Sequence, residues 1–197
     1  MPSEVPEVAL SKLTAKPLVI PDVVMVVPHR FGDARGYFVE TYNARSYAGI
    51  GIDAAFVQDN ESLSAQKGTV RGLHFQVPPM AQAKLVRVLK GAVMDVVVDI
   101  RRGSPTYGKW CSVTLTAHGG EQLFIPRGFA HGFCTLEAAT EVAYKVDAYY
   151  APECDTGILW NDPEIGIAWP VDAATAILSQ KDRGLALLRD FASPFTL

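Results

Sequence analysis

Cysteine is scarce: Cys111, Cys134 and Cys154 are odd in number and form no CxxC pair. That excludes a disulfide framework and a cysteine zinc site, and leaves small buried or half-buried thiols. Long apolar runs are missing as well. The greasiest segment, Gly91 to Ile100, is interrupted by Asp95 and Asp99 and falls far short of the ~18–20 apolar residues a membrane helix needs. Neither charge sign dominates, since 18 basic against 21 acidic side chains give a formal charge of −3. With no basic cluster, the chain has no electrostatic footprint for nucleic acid or an anionic membrane surface. The opening MPSEVPEVALSKLTAKP lacks a basic segment followed by an apolar one, so no secretory signal is expected and the location is expected to be cytoplasmic. Nucleotide and hydrolase signatures are also missing. There is no GxxxxGK[ST], no serine elbow and no HExxH, and the isolated Gly49-Ile50-Gly51 reads as a turn.

What is present is a 197-residue chain, 49% hydrophobic and 20% charged, the size and composition of one globular domain. Its 16 glycines and 13 prolines punctuate apolar runs of strand length, the pattern of an all-β domain. The runs are Val23–Val27, Tyr37–Tyr42, Val70–Gln76, Lys84–Leu89, Ala92–Ile100, Cys111–Thr116, Gln122–Ile125 and Glu141–Tyr150. In the fifth, Met94, Val96, Val98 and Ile100 share one parity while Asp95 and Asp99 share the other. One face is therefore expected to meet a core and the other to carry carboxylates. Helical spacing is confined to Ala44–Ala48 and Asp182–Phe191. Eight or more short strands must protect their edges, which a double-sheet jelly roll or a small barrel does in this length. Residues 1–15, rich in Pro, Glu and Ser, are expected to form a peripheral extension, with 16–197 as a single domain.

Two cupin motifs are partly matched. Five residues separate Gly68 from His74, and one more leads to Gln76, where a metal-binding cupin has a second histidine, with a glutamate beyond. Both of those ligands are missing. Gly120, Pro126, Gly128 and His131 keep the second spacing, G-x5-P-x-G-x2-H. The chain thus resembles a cupin-type jelly roll with two histidines and too few ligands for a catalytic metal, so none is expected. Each histidine alone reads equally well as a hydrogen-bonded structural imidazole. Lys84 opens an otherwise apolar strand, and Tyr144 and Tyr150, an even number of residues apart, are expected on one strand face, with Tyr149 on the other. Arg101 and Arg102 read as solvated turn residues.

The runs FGDARGYFVETYN, FVQDNESLS, GTVRGLHFQ, PPMAQAKLVRVLKGAVMDVVVDIRRGSPTYGKW, FIPRGFAHGF, YKVDAYYAPECDTGILWNDPEIGIAWP and LSQKD occur in that order over about residues 16–184. Together they resemble the dTDP-4-dehydrorhamnose 3,5-epimerase family. The resemblance implies an all-β cupin-type double-sheet jelly roll with a few short peripheral helices, no cofactor, and a dTDP-4-keto-6-deoxy sugar as substrate. It also implies a homodimer in which the segment around Arg35 completes a neighbour's site. Inverting carbons that flank a ketone requires a base, a stabiliser for the enolate and an acid on the opposite face. By resemblance the base is His74 oriented by Asp182, the enolate stabiliser is Lys84 and the acid is Tyr144. Arg35 and Arg71 are implied to grip the diphosphate, and Glu40, Gln58 and Asn60 to meet thymidine. Tyr150 and Phe38 are implied to stack on the base, with His131 and Lys181 in the pocket. The same set suits an epimerase of one carbon only. A metal-dependent cupin and a non-catalytic sugar-nucleotide-binding module are the readings from other classes.

Overall fold

The structure, a computed structural model, describes residues 8–10 and 12–197. Among the described residues fourteen strands are formed: β1 (Val8–Leu10), β2 (Leu13–Pro17), β3 (Val24–Pro28), β4 (Arg30–Asp33), β5 (Gly36–Val39), β6 (Gln58–Ser64), β7 (Val70–Gln76), β8 (Lys84–Lys90), β9 (Ala92–Asp99), β10 (Trp110–Thr116), β11 (Gln122–Ile125), β12 (Phe129–Thr135), β13 (Thr140–Val146) and β14 (Asp155–Gly157). Two short helices, α1 (Ala44–Ala48) and α2 (Gln180–Arg183), lie between and after them. The strands build a seven-stranded sheet, β1-β2-β3-β11-β8-β13-β6, and a five-stranded sheet, β10-β9-β12-β7-β14, while β4 and β5 form a separate hairpin. All pairings between these strands are antiparallel. This is the expected all-β jelly roll. Among the described residues no helix is long and apolar enough to cross a membrane.

Alternation along each strand sorts side chains between two apolar layers. Val86, Val88, Val93, Val97, Leu115, Leu123, Ile125, Phe129, Phe133 and Val142 fill the space between the sheets. Leu73, Phe75, Val96, Val98, Ile100 and Ala130 project from the other face of the five-stranded sheet. They are covered by Ile158, Ile165, Leu188, Phe191 and Phe195 of the C-terminal segment. Both faces of β9 are therefore buried, which corrects the expectation of a carboxylate-bearing outer face. Asp95 and Asp99 lie fully buried on the inter-sheet side, each held by a cationic or polar partner. Arg101 is likewise no solvated turn residue. It donates from Nε and a terminal nitrogen to Asp99, pairs with Asp22, and stacks 4.3 Å from the Phe129 ring centroid.

Several boundaries differ from the sequence reading for local reasons. The last long strand ends at Val146 instead of Tyr150, and the helix expected over Asp182–Phe191 is cut at Gly184 into α2 and a 3-10 turn at Leu188–Asp190. Helix α1 forms where expected, with Asn43 accepting from the amides of Arg45 and Ser46. Residues 1–7 and 11 of the expected N-terminal extension lie outside the described residues. Residues 8–10 and 13–15 belong to β1 and β2, with Leu13 and Ala15 buried.

Candidate active site

A cavity of about 330 Å³ opens between the sheets at one end of the sandwich. Its walls are the inward faces of β6, β7, β8, β12 and β13, closed by the 150–155 loop and α2. Strict alternation on β7 would send Arg71 and His74, three residues apart, to opposite faces. The pairing with β12 slips between them: His74 lies opposite His131 and Arg71 opposite Phe133, so three steps on β7 match two on β12. This bulge turns both side chains into the cavity. Gly72 occupies it with φ +120°, a conformation that disfavours other residues, and a Cβ there would sit 2.6 Å from the His131 carbonyl oxygen.

His74 Nε2 lies 2.5 Å from Asp182 Oδ1. Ser179 caps α2 by accepting from the Asp182 amide, which fixes the carboxylate's approach to β7. Burial alone would raise the Asp182 pKa. The hydrogen bond and charge of His74, the Ser179 hydroxyl and the Gly72 amide together hold it below the usual carboxylate range. An ionised carboxylate only accepts, so Nε2 carries the hydrogen and the basic nitrogen of His74 is Nδ1. His131 has a partner of its own, donating from Nε2 to Asp95 at 2.9 and 3.0 Å.

The facing wall belongs to the seven-stranded sheet. Lys84 opens β8 with its side chain inward and donates to the His74 carbonyl oxygen at 3.3 Å. Burial pushes its pKa down to about 8, against the pull of Asp155 and Asp95 and with a further push from Lys181. Tyr144 projects from β13 beside it, one step along from the Val146–Lys84 pair. Its phenol is raised above the ordinary value, first by burial and then by Asp155 and Tyr150, with Arg71 opposing. The imidazole and the phenol thus enter one cavity from opposite sheets.

The other residues singled out from sequence divide into two groups. Gln58, Asn60, Arg71, His131, Tyr150 and Lys181 line the same cavity. Gln58 donates to Asn60 and accepts from the Tyr150 amide, and Arg71 is steadied by Ser64 Oγ and the Leu63 carbonyl. Tyr150 reaches the cavity from the loop after β13, not from the strand face expected, and Tyr149 is exposed. Arg35, Phe38 and Glu40 are not among the lining residues. They sit on or beside the β4–β5 hairpin, where Arg35 is 89% exposed and pairs with Asp33, Phe38 is exposed, and Glu40 meets Lys12.

Asp155, Gln76, Ser62, Asp95 and Ser179, which line or support the cavity, carry no site role in the reading from sequence. Asp155 binds Lys181 and the Tyr150 hydroxyl across the cavity mouth. Gln76 donates to the Met80 and Tyr149 carbonyls and accepts from the Ala151 amide, so at the position of a cupin metal ligand its amide is fully engaged by backbone. Among the described residues no group of three or more His, Cys, Asp and Glu side chains is gathered as a metal would require. Two of these residues carried a signal in the sequence: Asp95 is a charge inside the most apolar strand, and Ser62 belongs to a polar row of period two, Gln58, Asn60, Ser62 and Ser64.

The sequence profile described as dTDP-4-dehydrorhamnose 3,5-epimerase matches residues 17–190. The chain belongs to the dTDP-4-dehydrorhamnose 3,5-epimerase family. It is 53% identical over 173 residues to the dTDP-4-dehydrorhamnose 3,5-epimerase of Sinorhizobium fredii, covering 88% of each chain. Two solved epimerase structures superpose closely. That of Bacillus anthracis, with TDP and PPi bound, gives a TM-score of 0.86 at 49% identity, over 89% of this chain and 99% of that one. That of dTDP-6-deoxy-D-glucose-3,5-epimerase from Legionella pneumophila, in complex with dTDP-4-keto-L-rhamnose, gives 0.85 at 44% identity, over 90% and 93%. The 3,5-epimerase family is thus enzymatic, and its members of known structure share this jelly roll.

Proposed function

We propose that the protein converts dTDP-4-dehydro-6-deoxy-D-glucose to dTDP-4-dehydro-L-rhamnose by inverting C3 and C5. The observation that carries this reading is the entry of a carboxylate-oriented imidazole and a phenol into one cavity from opposite sheets. His74 Nδ1 takes the proton from the carbon beside the ketone, leaving an enolate, and Asp182 stabilises the imidazolium that forms. The Lys84 ammonium faces the charge that develops on the C4 oxygen. Tyr144 returns a proton from the opposite face and is re-protonated from solvent, while His74 gives its proton to solvent. The second carbon is inverted by the same cycle.

For the nucleotide, Arg71 is the diphosphate ligand within the chain, with Gln58, Asn60 and Tyr150 around the base and His131 and Lys181 completing the pocket. The exposed β4–β5 hairpin, bearing Arg35 and Phe38 next to Phe31 and Tyr37, fits a homodimer in which it reaches the partner's cavity. Mixing Arg35→Ala and His74→Ala proteins tests this, because mixed dimers regain one intact site only if Arg35 acts across subunits. A cytoplasmic location accompanies the reading, in keeping with three unpaired, buried cysteines.

Incubation with the keto sugar in deuterium oxide tests the reaction itself. Label at C3 and C5 is expected. Label at one carbon only makes the protein a single-carbon epimerase, and binding of dTDP without any label makes it a binding module.

A further inference from the structure

The inward row of β6 is polar throughout, and all but one of its members have a side-chain hydrogen bond inside the protein. Gln58 donates to Asn60 and accepts from the Tyr150 amide, and Ser64 accepts from Arg71. Ser62 Oγ, between them, is the one buried side-chain nitrogen or oxygen among the described residues that has no hydrogen-bond partner. A buried hydroxyl left unpaired costs about 1–3 kcal/mol, so a native chain that keeps one next to a cavity calls for a ligand as the missing partner. Ser62 lines that cavity together with Arg71. The Arg71 guanidinium is tied to Ser64 and to the Leu63 carbonyl, which sets its charge at the end of β6 where Ser62 stands.

We propose that Ser62 is a further substrate-binding residue whose hydroxyl donates to an oxygen of the nucleotide's diphosphate beside Arg71. The inference rests on the reading of the cavity as a dTDP-sugar site and adds to it a neutral donor. A hydroxyl there supplies a directed bond to an anionic oxygen without adding charge, and Arg71 supplies the charge. Pairing places Ser62 opposite Val142 and Asn60 opposite Tyr144, so Ser62 lies one inward step away from the phenol.

The experiment is calorimetric titration of dTDP and of thymidine into the wild type and into the Ser62→Ala and Ser62→Thr variants, with the melting temperature of each free protein. Ser62→Ala is expected to bind dTDP about 10- to 100-fold more weakly, the range for a lost bond to a charged oxygen. It is expected to bind thymidine as before and to melt no lower than the wild type, because no internal bond is removed. Ser62→Thr, which keeps the hydroxyl, should recover most of the affinity. An unchanged dTDP affinity in Ser62→Ala overturns the inference, as does an equal loss for dTDP and thymidine or a fall in melting temperature that accounts for the loss. Failure of the wild type to bind dTDP would overturn the reading of the site itself, a separate result.

Discussion

Lys84 gives the most quantitative expectation. Burial lowers its pKa to about 8 from the ordinary 10.5, although Asp155 and Asp95 favour its charge. If the ammonium stabilises the enolate, kcat/KM must decline as pH rises through about 8. About 91% of such a lysine is protonated at pH 7 and about 9% at pH 9, so activity should drop roughly tenfold between them. The Tyr144 phenol is raised above 10 and does not titrate in that window. Stability should move the other way. Between pH 8 and 10.5 the unfolded chain binds more protons at this site than the folded one, so the contribution of Lys84 to stability rises with pH there. Keeping the charge buried at neutral pH costs up to roughly 3 kcal/mol. Lys84→Met should therefore melt higher than the wild type at pH 7 and lose this advantage towards pH 10.5, while its kcat falls roughly 100- to 1,000-fold. Lys84→Arg keeps a charge to far higher pH, and its residual activity should lack the alkaline limb. The assay is a pH series of initial rates beside thermal melts of the three proteins. A wild-type kcat/KM that is flat from pH 7 to 9.5, or an alkaline limb near pH 8 that persists in Lys84→Arg, would refute the reasoning.

Asp182→Asn removes the anion 2.5 Å from His74 that is proposed to stabilise the imidazolium, and kcat should fall about 10- to 100-fold with little change in KM. Because the Asp182 pKa is held low in the folded state, its contribution to stability is present above the ordinary carboxylate range and lost as pH falls below it. Acid denaturation of Asp182→Asn should therefore depend less steeply on pH. On the proposed mechanism Tyr144→Phe keeps the base and removes the acid, so NMR in deuterium oxide should show label entering the substrate on its original face with little inverted product. Arg101→Ala leaves Asp99 fully buried without its guanidinium, and urea unfolding should report a loss of about 3 kcal/mol; a loss below ~0.5 kcal/mol would make the pair dispensable.

Strands whose inward faces are apolar were legible in the sequence. β7, β8, β10 and β11 were found within a residue or two of their observed ends because the alternation is driven by burial. β6 and β12 were not. The inward positions of β6, Gln58 to Ser64, form the polar cavity wall, so function replaces the apolar half of the pattern. β12, FAHGFCT, is buried on both faces and carries His131 and Gly132, which leaves no alternation to read. The histidines, Lys84 and Tyr144 were legible through family motifs. Their convergence depends on the β7 bulge at Gly72, and no periodicity reveals a slip of register. The partnership of His131 with Asp95 arises from the pairing of β12 with β9, 36 residues apart in the chain, and that of His74 with Asp182 from the packing of α2 against β7 across 108 residues.

On the proposed mechanism the His74 imidazole removes the proton at both carbons. The most direct test follows deuterium incorporation at C3 and C5 in His74→Ala beside the wild type, with dTDP affinity measured on the same preparations. No label at either carbon and an affinity close to that of the wild type are expected. Label retained at C3 or C5 at the wild-type rate would contradict the mechanism and place the base on another side chain.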